Sequence, residues 1–147
     1  MKLYFIRHGE SQYNVKGLVN TNPKVVVLLT ASGIKQSEKI AEKFKEIKLD
    51  AIFSSQFERA IRTAEIMNKF HKLKIEISPL INEVNVGFEG KEDKKFLTIA
   101  RENFFNFRGD GGESWNDAKA RVRKFIDELK RKDFKTVAVV AHQWSCA

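Results

Sequence analysis

Short apolar runs and longer helical stripes take turns along this chain, and that alternation restricts its fold to very few architectures. Lys2 to Ile6, ending at Arg7, is rich in strand formers and meets a polar stretch at Gly9. Ala51 to Phe53, Lys74 to Ile77 and Thr136 to Ala141 read as three further strands. Between them, Ile34, Ile40, Ala41, Phe44 and Ile47 form one helical stripe within Thr30 to Ile47. Phe57, Ala60, Ile61, Ala64, Met67 and Phe70 form another, and Trp115, Ala118, Val122, Phe125, Ile126 and Leu129 a third, with Ser114 and Asp117 spaced like a capping box. Val25 to Leu29 fits an edge strand or a packed loop, and a short helix is expected around Phe96 to Phe105. Strands separated by helices predict an α/β fold, a three-layer α/β/α sandwich with a mostly parallel sheet, because parallel neighbours need crossover connections.

In such sheets ligands bind beyond the carboxyl ends of the strands. Arg7 and His8 follow the first strand, Ser54 and Ser55 the second, Glu83 the third and His142 the fourth. Four polar arrivals at one sheet edge predict a site there. Two histidines, arginines and a glutamate are the parts needed for phosphoryl transfer through a phosphohistidine. Guanidinium groups bind phosphate oxygens bidentately, neutral imidazole is a nucleophile, and a carboxylic acid protonates the leaving oxygen before its carboxylate activates water.

Other classes fit less well. The net charge of +8 over 147 residues invites a nucleic-acid reading, but Lys35, Lys39, Lys43 and Lys45 are spread over a helix face among glutamates, so nucleic acid is not an expected partner. No apolar run is long enough for a membrane span. The N-terminal run is too short for a signal peptide, which predicts a cytoplasmic protein with no membrane partner. Three histidines and one cysteine, Cys146, offer no cluster with metal-ligand spacing, so neither metal nor other cofactor is expected.

Arg7-His8-Gly9-Glu10-Ser11 followed by Asn14 resembles the signature of the histidine phosphatase, or phosphoglycerate-mutase-like, superfamily. The similarity continues through Leu29-Thr30 with Gly33 and Gln36, Ser54-Ser55 with Arg59-Ala60 and Thr63-Ala64, Asn82-Glu83 with Gly87 and Glu89-Gly90, and Gly111-Gly112-Glu113-Ser114. It implies that His8 is the nucleophile, that Arg7, Asn14, Arg59 and His142 hold the phosphate of a small phosphorylated substrate, and that Gly9 allows close approach. Glu83 becomes the proton donor. Ser54 reads equally as a donor near His8 or as a helix cap, Glu113 as a helix-start carboxylate that also reaches the arginines, Arg62 as surface and Trp115 as core.

The resemblance implies a metal-independent phosphomonoesterase. Mutases of the superfamily have a longer insertion near the acid, whereas only Lys91 to Asp110 lies before Gly111 here. Phosphoglycerate-mutase-type transfer and an inactive phosphate-binding pseudoenzyme stand as alternatives. The latter arises because Gln143 and Trp144 follow His142 where relatives carry glycine, and because the sequence stops at Ala147, short of the family's usual length. One domain, 1–147, is expected, with a small cap at about 88–110. If the flank of Thr136 to Ala141 is uncovered, a homo-oligomer through that C-terminal edge follows.

Overall fold

In the computed structural model, which describes residues 1–143, the four strands are β1 (Lys2–Arg7), β2 (Ala51–Ser54), β3 (Ile75–Ile77) and β4 (Thr136–Ala141). They form one parallel sheet in the order β1-β4-β2-β3. Because side chains alternate across a strand, β1, β2 and β4 each serve two cores. Ile6, Ile52, Ala138 and Val140 face α2 (Ala31–Phe44) and α3 (Glu58–Met67), meeting Ile40, Phe44, Ala60, Ala64 and Met67 on that side. Ala51, Phe53, Val137, Val139 and Ala141 face α5 (Trp115–Lys130), meeting Phe125 and Leu129. A sheet sealed on both faces explains why its strands read as unbroken apolar runs. The expected α/β layers are therefore present.

Boundaries move where side chains compete with the pattern. Thr30 caps α2 rather than joining it, accepting from the Gly33 N–H at 3.0 Å. The helix expected at 96–105 sits earlier, as α4 (Asp93–Ala100). Beyond it, Asn103 and Asn106 close turns onto Ala100 and Asn103, and the Phe104 and Phe105 rings pack against Trp115 at 5.3 and 6.4 Å. Trp115 therefore belongs to an aromatic cluster with Phe104 and Phe105, outside the two cores that flank the sheet. Val25 to Leu29 is a loop seated on the buried Val27, touching the first loop through a single bridge between Ser11 and Leu29. A five-residue helix, α1 (Gln12–Lys16), was not expected; its signal was the Ser11/Asn14 capping box.

The uncovered flank expected at Thr136 to Ala141 is corrected. β4 has β1 on one side and β2 on the other, and its apolar side chains are buried in both cores. Among the described residues the sheet edge beside it is β1. Association through a free edge of β4 therefore has no basis in this sheet. Among the described residues no helix is long and apolar enough to cross a membrane.

Candidate active site

Every strand delivers a polar residue to the same edge, as the topology predicts. The His8 N–H continues the ladder onto the Ala141 carbonyl at 3.1 Å, and the Ser55 N–H does the same onto Val140 at 3.1 Å, so both loops leave the sheet in fixed directions. Gly9 then turns the chain under α2. A Cβ on Gly9 would lie 2.3 Å from the Gly33 carbonyl oxygen, so only glycine lets the two segments meet. The Gly9 N–H donates to Thr63 Oγ1 at 3.1 Å, fastening the loop to α3. Gly9 does not line the cavity. The close approach expected there is made by protein backbone, and Gly9 serves the site by orienting its neighbour.

His8 Nδ1–H donates to the Gly9 carbonyl at 2.7 Å, and Arg59 Nε–H donates to His8 Nε2 at 2.9 Å. Together these bonds select the tautomer with its lone pair on Nε2. Burial first, and then the Arg59 and Arg7 cations, depress the His8 pKa to about 3, so the ring is neutral near pH 7. Arg59 is itself 5% exposed, stacked over Phe57 at 4.5 Å. Its Nη1–H donates to Asn20 Oδ1, and its Nη2–H to the Asn20 carbonyl at 3.3 Å. Burial lowers the guanidinium to about 10, which leaves it cationic near neutral pH.

Asn20 is held in turn by Glu89. That carboxylate accepts from Asn20 Nδ2 at 3.0 Å and from the backbone N–H groups of Thr21 and Asn22. No sequence pattern marked Asn20, which stood in an irregular loop; its role exists only once the loop folds over α3.

Glu83 lies beyond β3, after a short turn at Pro79–Ile81. Its side chain is 13% exposed, and Oε1 accepts from the Val84 N–H at 3.0 Å. Burial raises its pKa to about 7, against the opposing pull of that hydrogen bond, Arg59, Arg121 and Arg7. Arg121, on α5, fixes the backbone that carries it. Its Nη1–H donates to the Leu80 carbonyl at 2.8 Å and its Nη2–H to the Glu83 carbonyl at 3.2 Å. Glu113 grips Arg121 through both carboxylate oxygens, at 2.6 to 3.2 Å, and accepts from the Asn85 N–H at 3.2 Å. Glu113 therefore clamps the acid-bearing segment rather than joining the Arg7 and Arg59 pair. Arg121 was not foreseen, because an arginine on the polar side of a helix looks like surface.

A cavity of about 400 Å³ opens above these groups, lined by Arg7, His8, Asn14, Arg59 and Glu83 among others. Asn14 Oδ1 accepts from the Ser11 N–H and hydroxyl at 2.9 Å, which leaves its amide Nδ2 to donate toward an anion. His142 is placed differently from the expectation. It is fully buried, with its ring 5.1 Å from that of His8, and is not among the cavity-lining residues. Nδ1 faces Arg59 Nη2 at 3.2 Å, and Nε2 pairs with Ser55 Oγ at 2.8 Å. Its Nδ1 also lies 4.0 Å from Glu83 Oε2, so the buried ring packs against both Arg59 and the acid. Ser55, not Ser54, is the serine of the site; Ser54 Oγ donates to the Ser55 carbonyl at 3.0 Å. Arg62 pairs with Glu65 at the surface, as expected. Gln143 reaches the cavity, and Trp144 lies outside the described residues.

Residues 3–146 match the family described as the histidine phosphatase superfamily (branch 1). The adenosylcobalamin/alpha-ribazole phosphatase of Escherichia coli (strain K12) is 30% identical over 97% of this chain and 74% of its own length. The 6-phosphofructo-2-kinase/fructose-2,6-bisphosphatase 4 of Rattus norvegicus is also 30% identical, over 96% of this chain but only 30% of that protein. The crystal structure of the alpha-ribazole phosphatase from Shigella flexneri superposes with a TM-score of 0.89 at 27% identity, covering 99% of this chain and 76% of that one.

Proposed function

Because this chain belongs to the histidine phosphatase superfamily, branch 1, we propose that it hydrolyses small phosphomonoesters through a phosphohistidine on His8. One observation carries the reading: His8 has its Nδ1 proton tied to Gly9 and its Nε2 lone pair directed at Arg59, beside a carboxyl whose pKa of about 7 keeps it largely protonated in mildly acidic solution.

A phosphate entering between His8 and Arg59 exchanges the Arg59 hydrogen bond to Nε2 for bonds to its own oxygens. Nε2 then attacks phosphorus. The N–P bond forms as the bond from phosphorus to the leaving oxygen breaks, and the Glu83 proton goes to that oxygen. Arg7 and Arg59 neutralise the charge spread over the equatorial oxygens. In the second half-reaction Glu83, now a carboxylate, takes a proton from water as the water oxygen attacks phosphorus. The N–P electron pair returns to Nε2, so ester and water become alcohol and phosphate. Arginine cations supply the electrostatic stabilisation, and the proposed reaction is metal-independent. The 88–110 segment serves as the cap that shapes the leaving-group end.

A second reading, phosphate-ligand binding without turnover, is favoured by one feature: His142 is fully buried against Arg59 while Gln143 reaches the cavity. Hydrolysis of p-nitrophenyl phosphate measured beside calorimetric binding of inorganic phosphate separates the two. Turnover supports the hydrolase. Binding with no turnover between pH 4 and 8 replaces it with the ligand-binding reading.

A further inference from the structure

The cavity is cationic at one end and apolar at the other. Among the described residues that line it, the positively charged side chains are Arg7 and Arg59, both close enough to depress the His8 pKa. Away from them the walls are Leu18 and Val19 from the loop after α1, Val84 and Val86 from the acid segment, and Phe96 and Leu97 from α4. Phe96 is buried, with the Phe88, Phe107 and Phe104 rings at 5.7, 5.9 and 6.2 Å, so this wall is backed by packed aromatics. The two sides are stitched together. The Asp93 N–H donates to the Gly17 carbonyl at 3.0 Å, the Val19 N–H to Lys91 at 2.9 Å, and Leu18 bridges to Glu92.

The charged side chain that α4 adds to this lining is an acid. Asp93 lies at i, i+3 and i+4 with Phe96 and Leu97, and therefore on the same helix face. The α4 N-terminus, whose dipole would otherwise favour an anion, already holds Asp93 in its first turn. A second phosphate or carboxylate on the substrate would meet apolar walls and a like charge, with no cation among the described lining residues beyond Arg7 and Arg59 to offset its desolvation.

Resting on the phosphatase reading, we propose that the leaving group is an apolar alcohol, uncharged or cationic, of roughly one or two rings given the size of the cavity, and that Asp93 selects against esters carrying a second anion. Apolar burial draws the leaving group in; Asp93 sets the sign of charge it tolerates.

The test is kcat/KM for three primary alkyl phosphates matched at the reacting oxygen: 2-phenylethyl phosphate, the phosphate ester of 3-hydroxypropionate, and propane-1,3-diol bisphosphate. The phenylethyl ester is expected to lead both anionic esters by about tenfold or more. In Asp93→Asn that gap should narrow by about threefold, and in Asp93→Lys further. Equal or faster turnover of the anionic esters overturns the proposal, and a gap unmoved in both variants removes Asp93 from it. If none of the esters is hydrolysed, the phosphatase reading has failed, and the preference is read by calorimetry with 2-phenylethylphosphonate and 3-phosphonopropionate. Tighter binding of the former sustains the ligand class proposed here; tighter binding of the latter overturns it.

Discussion

Glu83→Gln isolates the thermodynamic consequence of burying an acid at the site. Gln has nearly the same shape, and its amide oxygen can still accept from the Val84 N–H. In the native protein the carboxyl keeps its proton up to a pH of about 7, against an ordinary value of 4.5 that applies in the unfolded chain. Below pH 4.5 both states are protonated and Glu83 costs nothing. Between 4.5 and 7 the unfolded chain ionises while the native protein does not, so native stability falls by about 1.4 kcal/mol per pH unit and then levels off. The whole interval corresponds to about 3 kcal/mol, an upper figure because the side chain keeps 13% exposure. Urea unfolding of both proteins at half-unit steps from pH 4 to 8.5 measures it, since titrating groups that do not interact with Glu83 cancel in the difference. Glu83→Gln should match the native protein near pH 4 and exceed it by up to about 3 kcal/mol at pH 8. A difference that stays flat with pH would mean that Glu83 is not held protonated, and the case for it as proton donor would fall with it.

Four further outcomes follow from the proposed chemistry. The same Glu83→Gln variant should slow esters of alkyl alcohols at least about tenfold more than p-nitrophenyl phosphate, whose leaving group needs no proton; equal slowing would reduce Glu83 to positioning. Acid-labile, base-stable phosphate labelling should disappear in His8→Ala, and labelling that persists would place the nucleophile elsewhere. Chelator should leave turnover unchanged, whereas activity lost to chelator and restored by a divalent metal would rule out the metal-independent reaction. Arg121→Met should lower stability by about 2 kcal/mol and reduce kcat for alkyl esters more than it raises KM, because it releases the Leu80 and Glu83 carbonyls; unchanged kcat in the folded variant would confine the clamp to stability.

The parts of this fold that were legible in the sequence are those where burial dominates. β1 and β4 were read to within a residue because strands buried on both faces leave continuous apolar runs, and α5 because its stripe and its Ser114/Asp117 cap agree. The α4 boundary failed because phenylalanines that pack on Trp115 from a turn carry the same letters as phenylalanines on a helix. At the site, sheet-end position alone brought Arg7, His8 and Glu83 to one edge, with Arg59 following β2 on the next helix. What it could not supply was depth. His142 and Gly9 occupy the expected stretches of chain, yet one is fully buried against Arg59 and the other packed on Gly33, because burial is decided by contacts far apart in sequence. Asn20, Glu89 and Arg121 act through such contacts, and residues that hold other residues leave no local period to read.

The same burial acts in opposite directions on the two groups that matter most. Removing water disfavours charge of either sign, so it lowers the pKa of an imidazole and raises that of a carboxyl. At His8 the two arginines reinforce the effect, giving about 3; at Glu83 they oppose it without overcoming it, giving about 7. Both groups are therefore driven to their neutral forms, and these are the forms that the proposed first step requires: a free lone pair on Nε2 and a proton on the carboxyl. Activity that depends on both should rise as pH climbs through about 3 and fall as it passes about 7, with alkyl esters following the second limb more steeply than activated ones. Burial is what moves the two values in opposite directions, and Arg121, which bonds the Glu83 carbonyl rather than its carboxylate, does not reverse it. A guanidinium bonded directly to the Glu83 carboxylate would keep it ionised and leave the departing oxygen without its proton.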